Sequence, residues 1–300
     1  VSDDRCLVTS STNQGVSAAR NLAIGMARTP FIALMDSDDH SLPDRLEGQL
    51  NYLAEHPEVA VVGGRLTLFG DAAESDTWWQ PSLTGNESWT ELLWRTACGA
   101  GACAGRIDAF RAVPFDPTLR LAEDYDWECR LATAGAAIDV TDQAVLRYRR
   151  HGLNHSIEQA GEVVRATAEI RRKYGKSMLR GPGTDRFVDW LVWASSDFGP
   201  AIRDLTIVDS SLWMALGPGL RGVTSERLDM ELVSTVAREM AIRQFVRKGG
   251  LASAAMLPLV VRGLGLRPAL VGVKRGLAAG SEWSLRSHVD VEYPWRDVSG

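Results

Sequence analysis

The chain is expected to fold as an α/β protein: a mostly parallel sheet layered between helices, three layers in all, followed by an α-helical C-terminal region. Three observations predict this. Short apolar runs alternate with segments of helical period across the first half. An acidic cluster, Asp36-Ser37-Asp38-Asp39, directly follows five apolar residues, Phe31-Ile32-Ala33-Leu34-Met35. That is the pattern of a buried strand leaving the core at its carboxyl end, where α/β sheets bind ligands. From about residue 156 the strand-like runs give way to long helical patterns.

Taken in order, Asn13-Gln14-Gly15 is a turn signal, and Val16, Ala19, Ala23 and Ala27 recur at helical spacing up to Arg28. Thr29-Pro30 ends that helix, because the residue before proline is pushed out of the helical region. The strand Phe31–Met35 and the acidic cluster follow. Pro43, tolerated in a first turn, opens a second helix lined by Leu46, Leu50 and Leu53 and closed by His56-Pro57. Val59–Val62 and Arg65–Phe69 read as two strands around Gly63-Gly64. Residues 70–90 read as a polar loop with Trp78, Trp79 and Trp89. A tryptophan beside a cleft can stack on a sugar ring, but core packing is expected for at least two of these. A helix is expected over Thr90–Thr96, and the small residues of Ala97–Gly105 allow close approach of backbone segments. Glu123-Asp124-Tyr125-Asp126 opens a helix that contains Trp127, Leu131 and Ala134 and stops at Gly135. Acidic residues in a first turn are favoured by the helix dipole whatever else they do. Ala144–Tyr148 reads as a strand running into Arg149, Arg150 and His151. Glu158–Lys173 and Thr224–Lys248 are the clearest later helices, the second stopped by Gly249-Gly250.

The 300 residues suffice for one large domain or two ordinary ones. We divide them into 1–155, the layered part, and 156–300, the mainly helical part. Hydrophobic content of 45% and charged content of 24% are those of a soluble globular chain. No stretch of about 18 apolar residues exists, so no membrane span is expected. The net charge of −5 is unevenly spread: residues 1–155 carry 13 Lys and Arg against 22 Asp and Glu, and residues 156–300 carry 20 against 16. The acidic front suits a cation, and no nucleic-acid partner is expected. Cys6, Cys98, Cys103 and Cys129 show no paired metal spacing and read as reduced thiols or small buried residues, which points to the cytoplasm. The chain begins with Val, so a fragment or processed product is expected.

Clustered carboxylates at a strand end repel one another unless a cation lies between them. Hard oxygen ligands suit Mn²⁺ or Mg²⁺, ions usually held by one or two carboxylates plus substrate phosphates. A polar turn that caps a helix would have the same composition.

Four segments together resemble family-2 glycosyltransferases of the glycosyltransferase-A fold, in the right order over roughly half the chain. Asn13-Gln14-Gly15-Val16-Ser17-Ala18-Ala19-Arg20-Asn21 resembles that family's helix beneath the nucleotide. Leu34-Met35-Asp36-Ser37-Asp38-Asp39 resembles its metal-binding Asp-x-Asp strand end, with Pro43 to Pro57 as the following helix. Glu123-Asp124-Tyr125-Asp126-Trp127 resembles its acceptor-side acidic motif, and Tyr148-Arg149-Arg150-His151 the segment that closes the catalytic domain. The resemblance implies inverting, metal-dependent transfer of a sugar from a nucleotide-diphosphate sugar to an acceptor hydroxyl on a glycan, polysaccharide or lipid. Asp38 would hold the ion with Asp36 and Asp39, and His151 could reach it. Asn13, Gly15, Arg20 and Asp36 would line the nucleotide. Asp124 would be the general base, with Glu123 and Asp126 positioning the acceptor or fixing the loop.

One departure matters. A complete member of the family is expected to begin about fifty residues earlier, with a further strand–helix–strand unit holding most contacts to the base and ribose. Without it Cys6–Thr9 lacks its expected strand neighbours, the donor pocket is incomplete, and a catalytically inactive binding or scaffold protein becomes the alternative. A phosphatase using an Asp-x-Asp nucleophile is a weaker alternative, because His40 stands where that family needs Thr or Val. In the C-terminal part, Arg238 to Arg275 holds eight basic residues and one acid among apolar stretches. This reads either as a peripheral contact with the inner face of an anionic membrane or as a buried helical subdomain with a basic rim. Pro258 and Pro268 interrupt any long amphipathic helix there and point to the second.

Overall fold

The computed structural model describes residues 5–70, 82–150, 159–195, 223–231 and 233. Its elements are α1 Val16–Met26, β1 Phe31–Ala33, β2 His40–Ser41, α2 Arg45–Glu55, β3 Val59–Gly70, α3 Asn86–Glu91, a 3₁₀ turn Ala100–Ala102, β4 Ala104–Arg106, α4 Ile107–Ala112, α5 Glu123–Ala134, β5 Ala137–Arg150, α6 Ala160–Met178 and α7 Thr184–Ser195. The α/β class expected from the alternation is the one observed.

The five strands lie in the order β1-β4-β3-β5-β2. β3 and β5 are parallel, and the other three neighbouring pairs are antiparallel. β1, β3 and β5 therefore point the same way, and β4 and β2 run against them. The sheet is mixed rather than mostly parallel, for a local reason. β2 follows at once on the acidic turn at the carboxyl end of β1, and β4 follows on a turn seated against the same acids. Both enter the sheet from that edge and can only run back down it.

β1 is an edge strand paired on one side by β4, and only residues 31–33 of the expected five-residue strand join the sheet. Leu34 adds one further bond, its N–H donating to Cys103 O at 2.9 Å. Residues 6–15 form no strand, and Leu7 and Val8 are 72% and 91% exposed. β3 is one strand, not two: Gly63 and Gly64 sit at irregularities in its register with β5. A Cβ on Gly63 would lie 2.3 Å from Cys98 Cβ, and one on Gly64 2.4 Å from Val145 Cγ1, so glycine is required by close approach rather than by a break.

α2 reverses its expected face. Leu53 is fully buried, but Leu46 and Leu50 are 51% and 38% exposed, and the inward positions are Arg45 and Gln49. Arg45 Nη2 donates to Leu34 O at 2.8 Å, and Gln49 Nε2 donates to Ala102 O at 2.8 Å and Val62 O at 3.1 Å. Buried carbonyls need donors, and these two side chains supply them. α3 starts earlier than the expected Thr90–Thr96, because Glu87 reaches back to accept the Thr84 N–H at 3.1 Å.

The main core runs continuously from Ile24 to Val233 and includes α5, α6 and α7. Trp127 lies between Phe110 and Phe115, with ring centroids 4.9 and 4.8 Å away. Trp89 is a packing residue: its Nε1–H donates to Ala136 O at 2.9 Å and the Arg227 guanidinium lies over its ring. Trp78, Trp79 and the 238–275 segment lie outside the described residues. Cys98 and Cys103 are joined in a disulfide, whereas Cys6 and Cys129 are free. The expectation of four separate thiols is overturned for this pair. The 3₁₀ turn between them brings their Cα atoms to 6.6 Å, which a five-residue spacing alone does not reveal. Among the described residues, no helix is long and apolar enough to cross a membrane.

Candidate active site

The site is assembled at the carboxyl ends of β1, β3 and β5. The turn Asp36–Asp39 closes on itself through Asp39 N–H to Asp36 O at 3.3 Å. β5 then holds it from the far side: the Arg149 backbone N–H donates to Asp39 Oδ1 at 2.8 Å, and Arg149 Nε donates to Asp38 O at 2.8 Å. Asp39 is buried, and its Oδ2 accepts no hydrogen bond. Burial, reinforced by Asp38 and Asp36 and opposed by the Arg149 N–H, pushes its carboxyl up to about 6. Asp38 is exposed and Asp36 is half-buried.

The second acidic stretch meets the first at Arg20, on α1. Its Nη1 donates to Glu123 Oε1 at 2.8 Å and its Nη2 to Asp36 Oδ1 at 3.1 Å. Burial pulls the guanidinium pKa down, but Asp36, Glu123 and Asp124 together outweigh it and raise it. Glu123 is raised by burial and by Asp124, with Arg20 opposing. α1 is fixed for this task by Asn21, whose Nδ2 donates to Phe115 O at 2.7 Å while its Oδ1 accepts the Phe115 N–H at 2.9 Å. Asp124 Oδ1 accepts the Tyr125 N–H at 2.8 Å. Asp126 is tied instead to Arg130 at 2.6 Å, and Arg130 to Pro114 O, so it fixes the loop before α5. The Tyr148 hydroxyl is pushed up to about 12 by burial and then by Asp39, Asp36, Asp38 and Asp124.

Asn13 and Gly15 shape the entrance to α1. Asn13 Oδ1 accepts the Gly15 N–H at 3.1 Å, and Gly15 has φ 95°, a conformation that favours glycine. His151 lies outside the described residues. Three contributors carry little sequence signal. Arg149 acts partly through its main-chain N–H, which is independent of side-chain type, and partly through its Nε. Arg45 is a cation buried behind the turn, its pKa lowered by burial against the pull of Asp39 and Asp36. Gly101 lies in the small-residue stretch already expected to permit close approach. A Cβ there would fall 2.9 Å from Asp36 Oδ2 and 3.8 Å from Asp39 Oδ2.

These residues fit a hard divalent cation. The donors are carboxylate oxygens, one of them buried without a partner, and glycine leaves room between them. Asp36, Asp38 and Asp39 do not close into a three-ligand cage; among the described residues, only Cys98, Cys103 and Glu128 bring three ligand atoms within 4.8 Å. An open pair of carboxylates suits an ion that takes its remaining ligands from phosphate and water.

The glycosyl transferase family 2 model matches residues 2–113. An uncharacterized glycosyltransferase of Methanocaldococcus jannaschii is 24% identical over 140 residues, 46% of this chain and 48% of that protein. The amylovoran biosynthesis glycosyltransferase AmsE of Erwinia amylovora is 36% identical over 59 residues, 20% of this chain and 22% of that protein. The crystal structure of S. aureus TarS 1–349 in complex with UDP-GlcNAc is 15% identical, with a TM-score of 0.47 over 71% of this chain and 63% of that one. The chain spans less than half the length of the two curated relatives named. Over residues 2–113, the chain is similar to glycosyl transferase family 2.

Proposed function

We propose that this chain carries the catalytic centre of a metal-dependent, inverting glycosyltransferase. It would move a sugar from a nucleotide-diphosphate sugar to the hydroxyl of a glycan, polysaccharide or lipid-linked acceptor. The observation that carries the reading is the Arg20 bridge, which joins Asp36 to Glu123, itself 103 positions from Arg20, and so brings the two acidic stretches together.

Asp38 and Asp36 are the proposed ligands of Mn²⁺ or Mg²⁺, with Asp39 beside them, and such an ion would offset charge gathering on the departing diphosphate. Arg149 holds the turn in shape, and Arg20 keeps Asp36 and Glu123 from repelling each other. Asp124, at the first turn of α5, is the proposed general base. It takes the proton of the acceptor hydroxyl as that oxygen bonds to the anomeric carbon, while the bond from that carbon to the diphosphate breaks and the electron pair leaves with the phosphate. Attack opposite the leaving group inverts the anomeric configuration. Asn13 and Gly15 are assigned to the nucleotide side.

Sugar transfer, or hydrolysis of the nucleotide sugar, is expected in the presence of Mn²⁺. It should fall about 10²–10⁴-fold in Asp124→Asn and about 10²–10³-fold in Asp38→Ala, with circular dichroism unchanged in both. Turnover in Asp124→Asn equal to wild type would remove the assignment. A second reading, a non-catalytic binding or scaffold protein, is favoured by the one-sided pairing of β1 and the exposure of Leu7 and Val8. Titration with uridine diphosphate and Mn²⁺ separates the two: binding without turnover supports the scaffold.

A further inference from the structure

The turn between Cys98 and Cys103 consists of Gly99, Ala100, Gly101 and Ala102, four residues whose side chains offer little to anchor it. It is held at its two ends. At the first, Glu128 of α5, fully buried, accepts the N–H groups of Ala97 at 2.6 Å, Cys98 at 3.3 Å and Gly99 at 2.8 Å, and the Thr96 hydroxyl at 2.9 Å. At the second, Ala102 O accepts from Gln49, and Cys103 O accepts from Leu34 and Arg45. The disulfide ties one end to the other, and the middle of the turn, at Gly101, is the wall against Asp36 Oδ2 and Asp39 Oδ2.

We propose that Cys98 and Cys103 form a thiol–disulfide control point for the acidic cleft. Closed, the bond holds the Gly99–Ala102 wall against Asp36 and Asp39; opened by reduction, it releases the wall and weakens cation binding there. The proposal rests on the cation-binding reading of that cleft. In the closing reaction, one cysteine thiolate attacks a low-molecular-weight disulfide such as oxidised glutathione, forming a mixed disulfide and expelling one thiolate. The second cysteine thiolate then attacks the bound sulfur of the first, forming the Cys98–Cys103 bond and expelling the other. Two protein thiols lose two protons and two electrons, and one glutathione disulfide becomes two thiols. Both sulfurs are buried, so exchange proceeds by lifting of the turn itself, which is half-exposed at Gly99 and Gly101. The redox state and the position of the wall are thereby the same variable.

The test uses the full chain in a Cys6→Ser background, which removes the exposed thiol. The protein is equilibrated across ratios of reduced to oxidised glutathione, and the 98–103 pair is followed by alkylation and mass spectrometry. Amide exchange at Gly99–Ala102 and Mn²⁺ binding by electron paramagnetic resonance are then measured in each form. Reversible interconversion without unfolding is expected, with exchange in the turn faster by about tenfold or more on reduction and Mn²⁺ bound several-fold more weakly. Cys98→Ser/Cys103→Ser should match the reduced form without any reductant, since serine is no larger against Gly63. Equal exchange and equal Mn²⁺ affinity in the two forms, or reduction only on global unfolding, overturns the switch alone. Absence of Mn²⁺ binding in both forms overturns the reading of the cleft and the proposal with it.

Discussion

Arg20 is the residue on which the two acidic stretches depend for their proximity. Its planar fork satisfies Asp36 and Glu123 at once, which a lysine ammonium could not do with the same geometry. Glu123 is largely buried, so removing its partner leaves a carboxylate without compensation. Arg20→Met is therefore expected to lower stability in urea by about 2 kcal/mol, and Arg20→Met/Glu123→Gln to recover part of that loss. A double mutant no more stable than the single would show that the bridge carries no coupling. Gly101 is the second residue of this kind. Gly101→Ala would press a methyl on Asp36 Oδ2, the movable end of a carboxylate, so the expected loss is in Mn²⁺ affinity, with a melting temperature close to wild type. Neither role is legible locally. Arg20 was assigned to the nucleotide from the resemblance, and its two partners are distant in sequence.

Among elements, α2 shows how periodicity misleads when carbonyls need donors. Positions 46, 50 and 53 and positions 45, 49 and 53 fit a helix equally well, and hydropathy alone selects the first set. The second set is buried because Arg45 and Gln49 donate to the carbonyls of Leu34, Val62 and Ala102. Leu50→Gln is thus expected to change stability by less than about 0.5 kcal/mol, whereas Leu53→Ala, at a fully buried site, should cost about 2–5 kcal/mol. Equal losses at both positions in chemical denaturation would contradict the observed face. α5 was legible almost to the residue, since it begins at an acidic first turn and ends at Gly135 with φ 89°. Its start after Ala122 in the left-handed region, and its second duty as the carrier of Glu128, were not.

At the scale of the whole molecule, Glu128 links α5 to the segment that enters β4, and through it to the cleft. Burial, with Asp124 adding and the Ala97, Thr96 and Gly99 donors opposing, raises its carboxyl from about 4.5 to about 7. The folded protein then holds this proton more tightly than the unfolded chain does. Its contribution to stability is greatest below about pH 4.5 and declines as the pH rises to about 7, by up to about 1.4 kcal/mol per pH unit. Urea midpoints for wild type and Glu128→Gln between pH 5 and 8 should show this slope in the first and not in the second, even though the amide lowers stability overall by facing N–H donors. Matching slopes would assign the pH dependence to other groups.

The α/β class, the turn before α1, the stop at Gly135 and the order of the acidic motifs are all readable from the residues alone. These are written in local chemistry: proline and glycine limit the backbone, acids gather at a strand end, and apolar periods mark faces. That β4 and β2 run against the other strands, that Arg45 and Gln49 point inward, that Cys98 bonds Cys103, and that positions 36 and 123 share one guanidinium emerge with the folded chain. Each of these is a contact between distant segments or a demand of buried backbone, and its energy exists only once the sheet and its helices have closed around it.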